Sequence, residues 1–260
     1  MGTVTIKNVS KTYPGHANSG GAVKALDNVS FQVENREFCS ILGHSGCGKT
    51  TLLNILAGFE QVSQGEVLVD GQAIGAPTWQ RTVVFQDYAL FPWLTVEKNV
   101  AFGLEMKKVD AQTRNEIVKR NIQLVGLAGF EKHYPHQLSG GMKQRVSIAR
   151  ALSVDPNVLL MDEPFAALDA QNRSMMQEEM GRLIASASQD QRKTMILVTH
   201  SIEEAILLSD RIIVMSSRPG RVKANILVDL PRPRSESDPE FGALKEQLRA
   251  LLHEEAVHHA

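Results

Sequence analysis

The segment Gly43–Thr50 restricts the fold of this chain more than any other stretch of its sequence. It reads G-H-S-G-C-G-K-T and fits the pattern G-x-x-x-x-G-K-[ST]. Closely spaced glycines let a backbone wrap around an anion, and the wrapped N–H groups attract phosphate together with the N-terminus of the following helix. A segment typical of a buried strand, Phe38–Leu42, precedes the loop and a helix-forming run, Thr51–Ala57, follows it. We therefore predict a strand, a phosphate-binding loop (P-loop) and a helix, rather than a chance glycine-rich turn.

The side chains at the end of this loop suit a nucleotide. Lys49 adds a full positive charge for the β- and γ-phosphates, and the hydroxyl of Thr50 can ligate Mg²⁺. Cys47 is interpreted as a small filler residue rather than a nucleophile. The predicted nucleotide-binding residues of this region are Gly43, His44, Ser45, Gly46, Cys47, Gly48, Lys49, Thr50 and Thr51.

Two acidic residues follow another apolar run. Val158–Met161 is typical of a buried strand, and Asp162 stands at its carboxyl end, where open α/β sheets bind ligands. Asp162 can hold Mg²⁺ directly or through water, and Glu163 can orient or deprotonate a water molecule that attacks a phosphate. The alternative is a pair of solvated turn acids before Pro164.

Composition and charge exclude several classes of protein. The 260 residues are 43% hydrophobic and 22% charged, which is typical of a globular chain with one large domain or two small ones. With 28 basic and 29 acidic residues, bulk electrostatic binding of nucleic acid is disfavoured. No apolar run approaches the ~18 residues of a membrane span, the N-terminus lacks a signal peptide, and Cys39 and Cys47 are too few for a disulfide scaffold. These features alone predict a soluble protein of a reducing compartment.

Apolar runs and helical patterns alternate along the chain, which predicts an α/β fold. The predicted strands are Val4–Ile6, Phe38–Leu42, Val67–Val69, Val83–Phe85, Val158–Met161, Met195–Val198 and Ile212–Met215. The predicted helices are Thr50–Ala57, Asp110–Val125, Gly140–Leu152, Ala170–Ser186 and an amphipathic one over Phe241–Leu252. The nearly continuous apolar runs indicate strands of a parallel sheet that helices cover on both faces.

The segment Leu138–Met142 reads L-S-G-G-M and resembles the signature motif L-S-G-G-Q of ATP-binding cassette (ABC) proteins. Further motifs resemble that family in the family's own order along the chain. Tyr13 is similar to its adenine-stacking aromatic residue and Gln86 to its Q-loop glutamine. Ala166–Asp169 resembles the D-loop, and His200 resembles the switch histidine. The resemblance covers roughly residues 4–230 and is very specific, because six motifs match in order.

The resemblance implies a role for each matched residue. Tyr13 stacks on adenine, Gln86 ligates Mg²⁺ or holds the attacking water, and His200 contacts the γ-phosphate. A packing aromatic, an ordinary loop glutamine and a core histidine are the alternatives. Hydrolysis of ATP to ADP and phosphate would then rest on Gln86 and His200 together with Lys49 and Glu163. The implied Mg²⁺ ligands are Thr50, Gln86 and Asp162.

A second anion site is predicted at the start of the signature helix. Ser139, Gly140 and Gly141 cap a helix N-terminus, although Ser139 as a plain helix cap is the alternative. Two phosphate-binding ends in one chain suggest a sandwich in which each ATP is shared. The resemblance implies a head-to-tail dimer, in which this signature contacts the ATP on the P-loop of a second copy.

The chain departs from the family at two positions. Met142 replaces the signature glutamine, so a polar side-chain contact is lost while the backbone donors remain. Ala166 replaces the D-loop serine, which puts a hydroxyl contact across the dimer interface in doubt. Asp169 matches the D-loop of the family and is one of the predicted nucleotide-binding residues.

The segment Tyr88–Leu94 is rich in aromatic and apolar residues, which suit an interface. In the family this region meets a membrane partner; the alternative is that Phe91 and Trp93 pack within their own subdomain. The phrases F-P-W-L-T-V-E-K-N-V-A-F-G-L, S-S-R-P-G-R-V and D-L-P-R-P-R resemble the nitrate/sulfonate/taurine import family.

That resemblance implies the ATPase subunit of a bacterial importer for nitrate, sulfonate, taurine, bicarbonate or a similar small solute. The subunit would lie at the cytoplasmic face of the inner membrane, bound to permease subunits near Tyr88–Leu94 and served by a solute-binding protein, with no nucleic acid. A soluble ABC ATPase acting on nucleic acid or ribosomes and an exporter or lipid-transport ATPase are the rival interpretations.

The resemblance also implies the architecture. We expect a P-loop NTPase core (RecA-like) with a mixed sheet, an ABC-type antiparallel β subdomain, and an α-helical subdomain inserted at approximately residues 88–152. The cassette would cover residues 1–230, and residues 231–260 would form a short extension that carries the amphipathic helix. The basic run from Arg218 to Arg234 is interpreted as a solvated connector, with contact to anionic lipid as the alternative.

Overall fold

The computed structural model describes residues 2–15, 21–186 and 192–253, and only the backbone for 182–186. The strands within these ranges are β1 (Val4–Tyr13), β2 (Val23–Val33), β3 (Phe38–Leu42), β4 (Gln64–Val69), β5 (Gln72–Ala73), β6 (Arg81–Val84), β7 (Val158–Asp162), β8 (Thr194–Thr199), β9 (Arg211–Met215) and β10 (Val222–Leu227). The helices are α1 (Lys49–Ala57), α2 (Val96–Met106), α3 (Ala111–Leu124), α4 (Gly140–Ser153), α5 (Ala170–Ser186), α6 (Ile202–Leu208) and α7 (Pro239–His253), with a 3₁₀ turn at Pro135–Gln137. The chain divides into a first unit, Met1–Pro77 with Glu179–Ala260, and a second unit, Thr78–Glu178.

The first unit contains a mixed sheet and an antiparallel sheet. The antiparallel sheet has the strand order β2-β1-β4-β5. In the mixed sheet, β3 lies between β8 and β9 and runs parallel to both, while β10 pairs antiparallel with β9. All residues of β3 are buried, as expected for a central strand covered on both faces. The predicted α/β class, with its mixed sheet and antiparallel subdomain, is confirmed.

Helix α7 completes the core of the first unit. Its side chains Phe241, Leu248 and Leu252 are buried in a cluster that includes Leu42 of β3 and Ile206 of α6. Helix α7 spans the amphipathic helix predicted over Phe241–Leu252, and its apolar side chains pack into this core. Residues 254–260 of the predicted extension lie outside the described residues.

Two arginines of the basic run are engaged inside the first unit. Arg232 forms an ion pair with Asp210. The guanidinium of Arg234 donates to main-chain carbonyls, namely those of Ile206, Ser209, Val228 and Leu230. Burial, aided by the nearby charge of Arg232, lowers the pKa of Arg234 to about 10. The interpretation as a solvated connector is wrong for these two residues, because each guanidinium has internal acceptors.

The second unit pairs β6 with β7 in parallel and packs α2, α3 and α4 together. A polar side chain caps the start of each helix by accepting a backbone N–H three residues ahead: Thr95 caps α2, Asp110 caps α3 and Ser139 caps α4. These caps fix the beginnings of the two helices that the sequence predicted, α3 and α4. Helix α2 was not predicted. Across the described ranges, no helix is both long enough and apolar enough to cross a bilayer.

Candidate functional site

The P-loop connects β3 to α1, as predicted. Gly46 and Gly48 have φ angles of +79° and +92°, in the left-handed region that glycine adopts at least cost. A Cβ at Gly48 would lie 2.8 Å from the carbonyl oxygen of Ala25, so the loop also needs glycine for close packing. Helix α1 begins immediately afterwards at Lys49. The N–H groups of its first turn have no partner within the helix and lie next to the P-loop. This geometry suits the binding of phosphate.

The ammonium group of Lys49 is held against the loop itself. Lys49 is 4% exposed, and its Nζ donates to the carbonyls of Gly43 at 2.8 Å and His44 at 3.0 Å. Cys47 is fully buried, in keeping with a filler role. The exposed or half-buried residues of the loop and the first helical turn are His44, Ser45, Gly46, Gly48, Thr50 and Thr51.

His200 follows β8 at the same edge of the sheet as the P-loop. Strands β3 and β8 are parallel and pair Leu42 with Thr199. The carboxyl ends of the two strands are therefore neighbours, and the residues that follow them begin at the same edge of the sheet. His200 is exposed there. Thr199 donates to the carboxylate of Glu204 at 2.6 Å, which holds the turn between β8 and α6. The structure thus brings the P-loop and the predicted switch histidine to one edge.

Tyr13 ends β1 in the antiparallel sheet and is half-buried. The ammonium of Lys11 lies 4.9 Å from the centroid of its ring and forms an ion pair with Glu60 at 2.6 Å. Because the ammonium lies over one face of the ring, a ligand could stack only on the rest of the ring. The adenine-stacking role of Tyr13 stays a prediction.

In the second unit, Gln86, Asp162 and Glu163 lie at one sheet edge. Strands β6 and β7 are parallel and pair Val84 with Met161, so the residues that follow both strands leave in the same direction. Gln86 is exposed, and both acids are half-buried. Glu163 has a φ of +43°, a conformation that non-glycine residues rarely adopt and that clusters at functional sites.

The signature segment caps α4 as predicted. Ser139 accepts the N–H of Met142 at 3.3 Å, and Gly141 is buried. A Cβ at Gly140 would lie 3.1 Å from the hydroxyl of Tyr88, so the signature helix and the predicted docking segment are in contact. Beside the helix start is a hollow of about 220 Å³, lined in part by Ser139, Met142 and Arg145. Met142 thus lines a hollow beside the start of the signature helix.

Asp169 of the D-loop is fixed by the start of α5. Its carboxylate accepts two hydrogen bonds from Asn172, one from the backbone N–H at 3.0 Å and one from the side-chain amide at 2.6 Å. The backbone hydrogen bond from Asn172 is the main cause that lowers the pKa of Asp169 below its ordinary 3.8. Arg173 donates to the carbonyls of Phe165 and Leu168 and holds the rest of the loop.

Sequence reasoning missed Arg150, which shapes the segment Tyr88–Leu94. Its guanidinium donates to the carbonyls of Tyr88 at 3.1 Å and Ala89 at 2.6 Å, and it lies 5.6 Å from the ring of Phe91. Tyr88 and Ala89 have φ angles of +64° and +45°, so the backbone here is strained. Trp93 is 70% exposed. The tandem positive φ angles carry no signal in residue types, which explains why this contact was missed.

The predicted Mg²⁺ ligands have suitable chemistry. A hydroxyl, a carboxylate and an amide oxygen are hard donors, which Mg²⁺ prefers. The described residues contain no group of three His, Cys, Asp or Glu that could hold a metal by themselves. Magnesium sites in proteins commonly combine one or two carboxylates with phosphate oxygens, so the single carboxylate of Asp162 is compatible with this chemistry.

Comparison with known proteins places these motifs in context. The family model described as "ABC transporter" matches residues 26–166. An aliphatic sulfonates import ATP-binding protein of Bacillus cereus is 46% identical over 246 residues, which are 95% of this chain and 94% of that protein. A bicarbonate transport ATP-binding protein of Synechococcus elongatus is 42% identical over 259 residues, covering 97% of this chain but 38% of the larger relative.

Among solved structures, the dimeric post-hydrolysis state of an ATP-binding cassette bound to ADP and phosphate matches with a TM-score of 0.74. It is 32% identical and covers 88% of this chain and 100% of its own. The similarity therefore extends through both units.

Proposed function

This chain belongs to the ABC transporter family, and from that premise we propose that it powers the import of a small anionic solute. It is the ATPase subunit of an ABC importer and converts ATP and water to ADP and phosphate. The observation that carries the chemistry is the placement of the predicted groups at the carboxyl ends of parallel strands. Ligands of open α/β sheets bind at such ends.

The P-loop binds the phosphates of ATP through its N–H groups, the N-terminus of α1 and the charge of Lys49. To bind phosphate, the Lys49 ammonium exchanges its bonds to the loop carbonyls for bonds to phosphate oxygens. Glu163 accepts a proton from the attacking water, and Gln86 orients that water. His200 and Lys49 stabilise the negative charge that develops on the γ-phosphate.

Mg²⁺ would be held by Thr50, Asp162 and Gln86, and when bound it neutralises charge on the phosphate oxygens. Tyr13 supports the adenine ring by stacking. The residues Ser139, Gly140, Gly141 and Asp169 complete the nucleotide site of a second copy in a head-to-tail dimer. The dimeric cassette with ADP and phosphate supports this arrangement.

The membrane partner is a permease, and we place its docking site at Tyr88–Leu94. The exposed Trp93 and the strained, arginine-held backbone of this segment support that assignment. The subunit is membrane-associated through this contact, at the cytoplasmic face. We retain the proposed division into a cassette, residues 1–230, with a helical insertion near residues 88–152, and an extension, residues 231–260.

The solute is proposed to be a small anion, because two similar proteins carry the names of sulfonate and bicarbonate transport. A separate solute-binding protein would deliver it, as the import resemblance implies. Uptake of radiolabelled sulfonate, bicarbonate and nitrate by cells with and without this chain would identify the solute. Equal uptake of all three in both strains would reject an anion importer.

The hydrolytic roles are tested by two substitutions. Glu163→Gln should bind ATP, lose most turnover and accumulate an ATP-bound dimer, because the amide cannot accept the proton of the water. Lys49→Ala should weaken ATP binding, because the buried cation is lost. Parental turnover by Glu163→Gln would reject that residue as the base, and an unchanged ATP titration by Lys49→Ala would reject the assigned site. Arg249→Ala, an exposed change on α7, is the control.

A further inference from the structure

The loop Ser216–Arg221 lies beside the P-loop and is absent from the site described so far. It follows β9, which is parallel to β3 and pairs Val214 with Leu42. Both loops therefore leave the mixed sheet at the same edge from neighbouring strands. We call Ser216–Arg221 the brace loop.

Arg218 of the brace loop contacts the turn of the P-loop directly. Its Nε donates to the carbonyl oxygen of Gly46 at 3.4 Å. The guanidinium lies so close that a Cβ at Gly46 would be 2.9 Å from its Nη2. The N–H of Cys47, on the other side of the same peptide unit, donates to the carbonyl of His44 at 3.3 Å. Hydrogen bonds at both ends fix the orientation of this peptide plane.

Gly220 makes a second contact with the P-loop. A Cβ added there would overlap the carbonyl oxygen of Cys47, so the two backbones touch. The N–H of Gly220 donates to the carbonyl of Ala25 at 2.9 Å, and its own carbonyl accepts the N–H of Asp27 at 2.9 Å. The brace loop is thus tied to β2 as well as to the P-loop.

The brace loop is also closed on itself. Ser216 donates its N–H to the carbonyl of Arg221 at 2.9 Å, and its hydroxyl accepts the N–H of Arg221 at 3.0 Å. The guanidinium of Arg221 forms an ion pair with Asp27 of β2. These contacts hold the loop in place, and Arg218 is exposed at the P-loop turn.

We propose that Arg218 is a positioning residue for nucleotide binding, which acts through the carbonyl of Gly46 to hold the P-loop turn in its phosphate-binding conformation. Its charge also adds positive potential to a loop that binds anions. A loop held in its binding conformation spends less free energy on ordering when the ligand binds, so nucleotide affinity rises. The proposal rests on the proposed function only in that the P-loop binds ATP.

The test is a titration of Arg218→Ala with ATP, ADP and inorganic pyrophosphate. Loss of one charge-assisted hydrogen bond should weaken each ligand by about five- to tenfold. The loss of affinity should be similar for all three ligands, because they share the phosphates that the P-loop binds. In steady-state hydrolysis, the change should appear in KM rather than in kcat.

Four further variants separate positioning from charge and from folding. Arg218→Gln keeps an N–H donor without charge, so partial recovery of affinity measures the hydrogen bond, and Arg218→Lys measures the charge. Gly220→Ala pushes on the carbonyl of Cys47 and should weaken the same ligands through a different contact. Arg249→Ala removes an equal charge from an exposed position of α7 and should bind like the parent.

The proposal is overturned if Arg218→Ala binds ATP within twofold of the parent. It is also overturned if Arg249→Ala loses as much affinity, or if Arg218→Ala changes only the unfolding temperature. These results are distinct from failure of the proposed function, in which the parental chain and Lys49→Ala would bind ATP equally.

Discussion

The buried hydroxyl of Thr199 stabilises the turn that contains His200. Its Oγ1 donates to Glu204 at 2.6 Å and accepts the N–H of Ser201 at 3.0 Å. Thr199 and Glu204 are 1% and 5% exposed, so neither bond competes with bulk water. The position of His200, the predicted switch histidine, therefore depends on the side chain of the residue before it.

We predict that Thr199→Val lowers the free energy of unfolding by about 1–3 kcal/mol, because the shape is kept while two hydrogen bonds are lost. The kcat for ATP hydrolysis should fall as His200 becomes less well placed, while the Kd for ATP stays near the parental value. Urea denaturation and steady-state kinetics measure both effects. Thr199→Ser, which retains the hydroxyl, should recover most of the loss; equal behaviour of the two variants would contradict the prediction.

Asp110 gives a prediction for acid pH. The N–H of Thr113 bonds to its carboxylate, and this bond is the main cause that lowers the pKa of Asp110 from its ordinary 3.8. A depressed folded-state pKa contributes stability above the unfolded value, and that stability is lost as the pH falls through the folded value.

Asp110→Asn keeps the cap but cannot titrate, so we predict that the parent loses its advantage over this variant below about pH 4. Thermal unfolding of both proteins at pH 7 and pH 3.5 measures the difference in Tm. A difference in Tm that is constant across this range would contradict the assigned cap.

At the scale of elements, helix α4 supports two segments that are predicted to be functional. Its N-terminus carries the signature, and Arg150 near its C-terminus holds the carbonyls of Tyr88 and Ala89. Burial lowers the pKa of Arg150, although the group keeps its charge well above neutral pH. A movement of α4 would therefore be transmitted to the segment proposed to dock the permease.

We predict that Arg150→Ala releases the strained backbone of Tyr88–Leu94. Hydrogen exchange of peptides that cover this segment should become at least tenfold faster, because the two hydrogen bonds that offset the strain are gone. Arg150→Lys retains the charge but offers a single donor nitrogen in place of the two guanidinium nitrogens, so the segment should exchange at an intermediate rate. Exchange at the parental rate in Arg150→Ala would show that other contacts hold the segment.

Elements with a local signal were predictable, and those that depend on distant partners were not. The buried strands β3 and β7 and the capped helices α3 and α4 carry their patterns within a few residues. The pairing of β2 with β1 contains several register shifts, which interrupt the alternation of buried and exposed side chains that marks a strand. Strand β10 is an edge strand with no buried residue. Helix α6 has only seven residues, too few to show a helical period.

The same distinction applies to the site. The P-loop and the acids after β7 are contiguous in sequence, so their spacing alone predicts the phosphate chemistry. Arg218 contacts Gly46 across 172 positions, and Arg150 contacts Tyr88 across 62 positions. Such contacts follow from strand order and helix packing, which one sequence does not display.

At the scale of the whole molecule, the signature departure Met142 bears on the proposed dimer. In a Glu163→Gln background, we predict that Met142→Gln tightens the ATP-bound dimer about fivefold by restoring one polar contact. Analytical ultracentrifugation with ATP measures the dimer dissociation constant. Lys143→Gln places the same side chain one residue away on α4 and should leave the constant unchanged, whereas equal effects of both variants would contradict a contact specific to position 142.

The placement of β3 has a consequence for the synthesis of this protein. Both neighbours of β3 in the mixed sheet, β8 and β9, come from the last third of the chain, roughly 150 residues later. At about 5–20 residues per second, a ribosome needs about 8–30 s to supply them. During that time β3, in which every residue except Ser40 is apolar, has two unpaired edges. We therefore expect the nascent chain to bind holdase chaperones until its C-terminal third emerges.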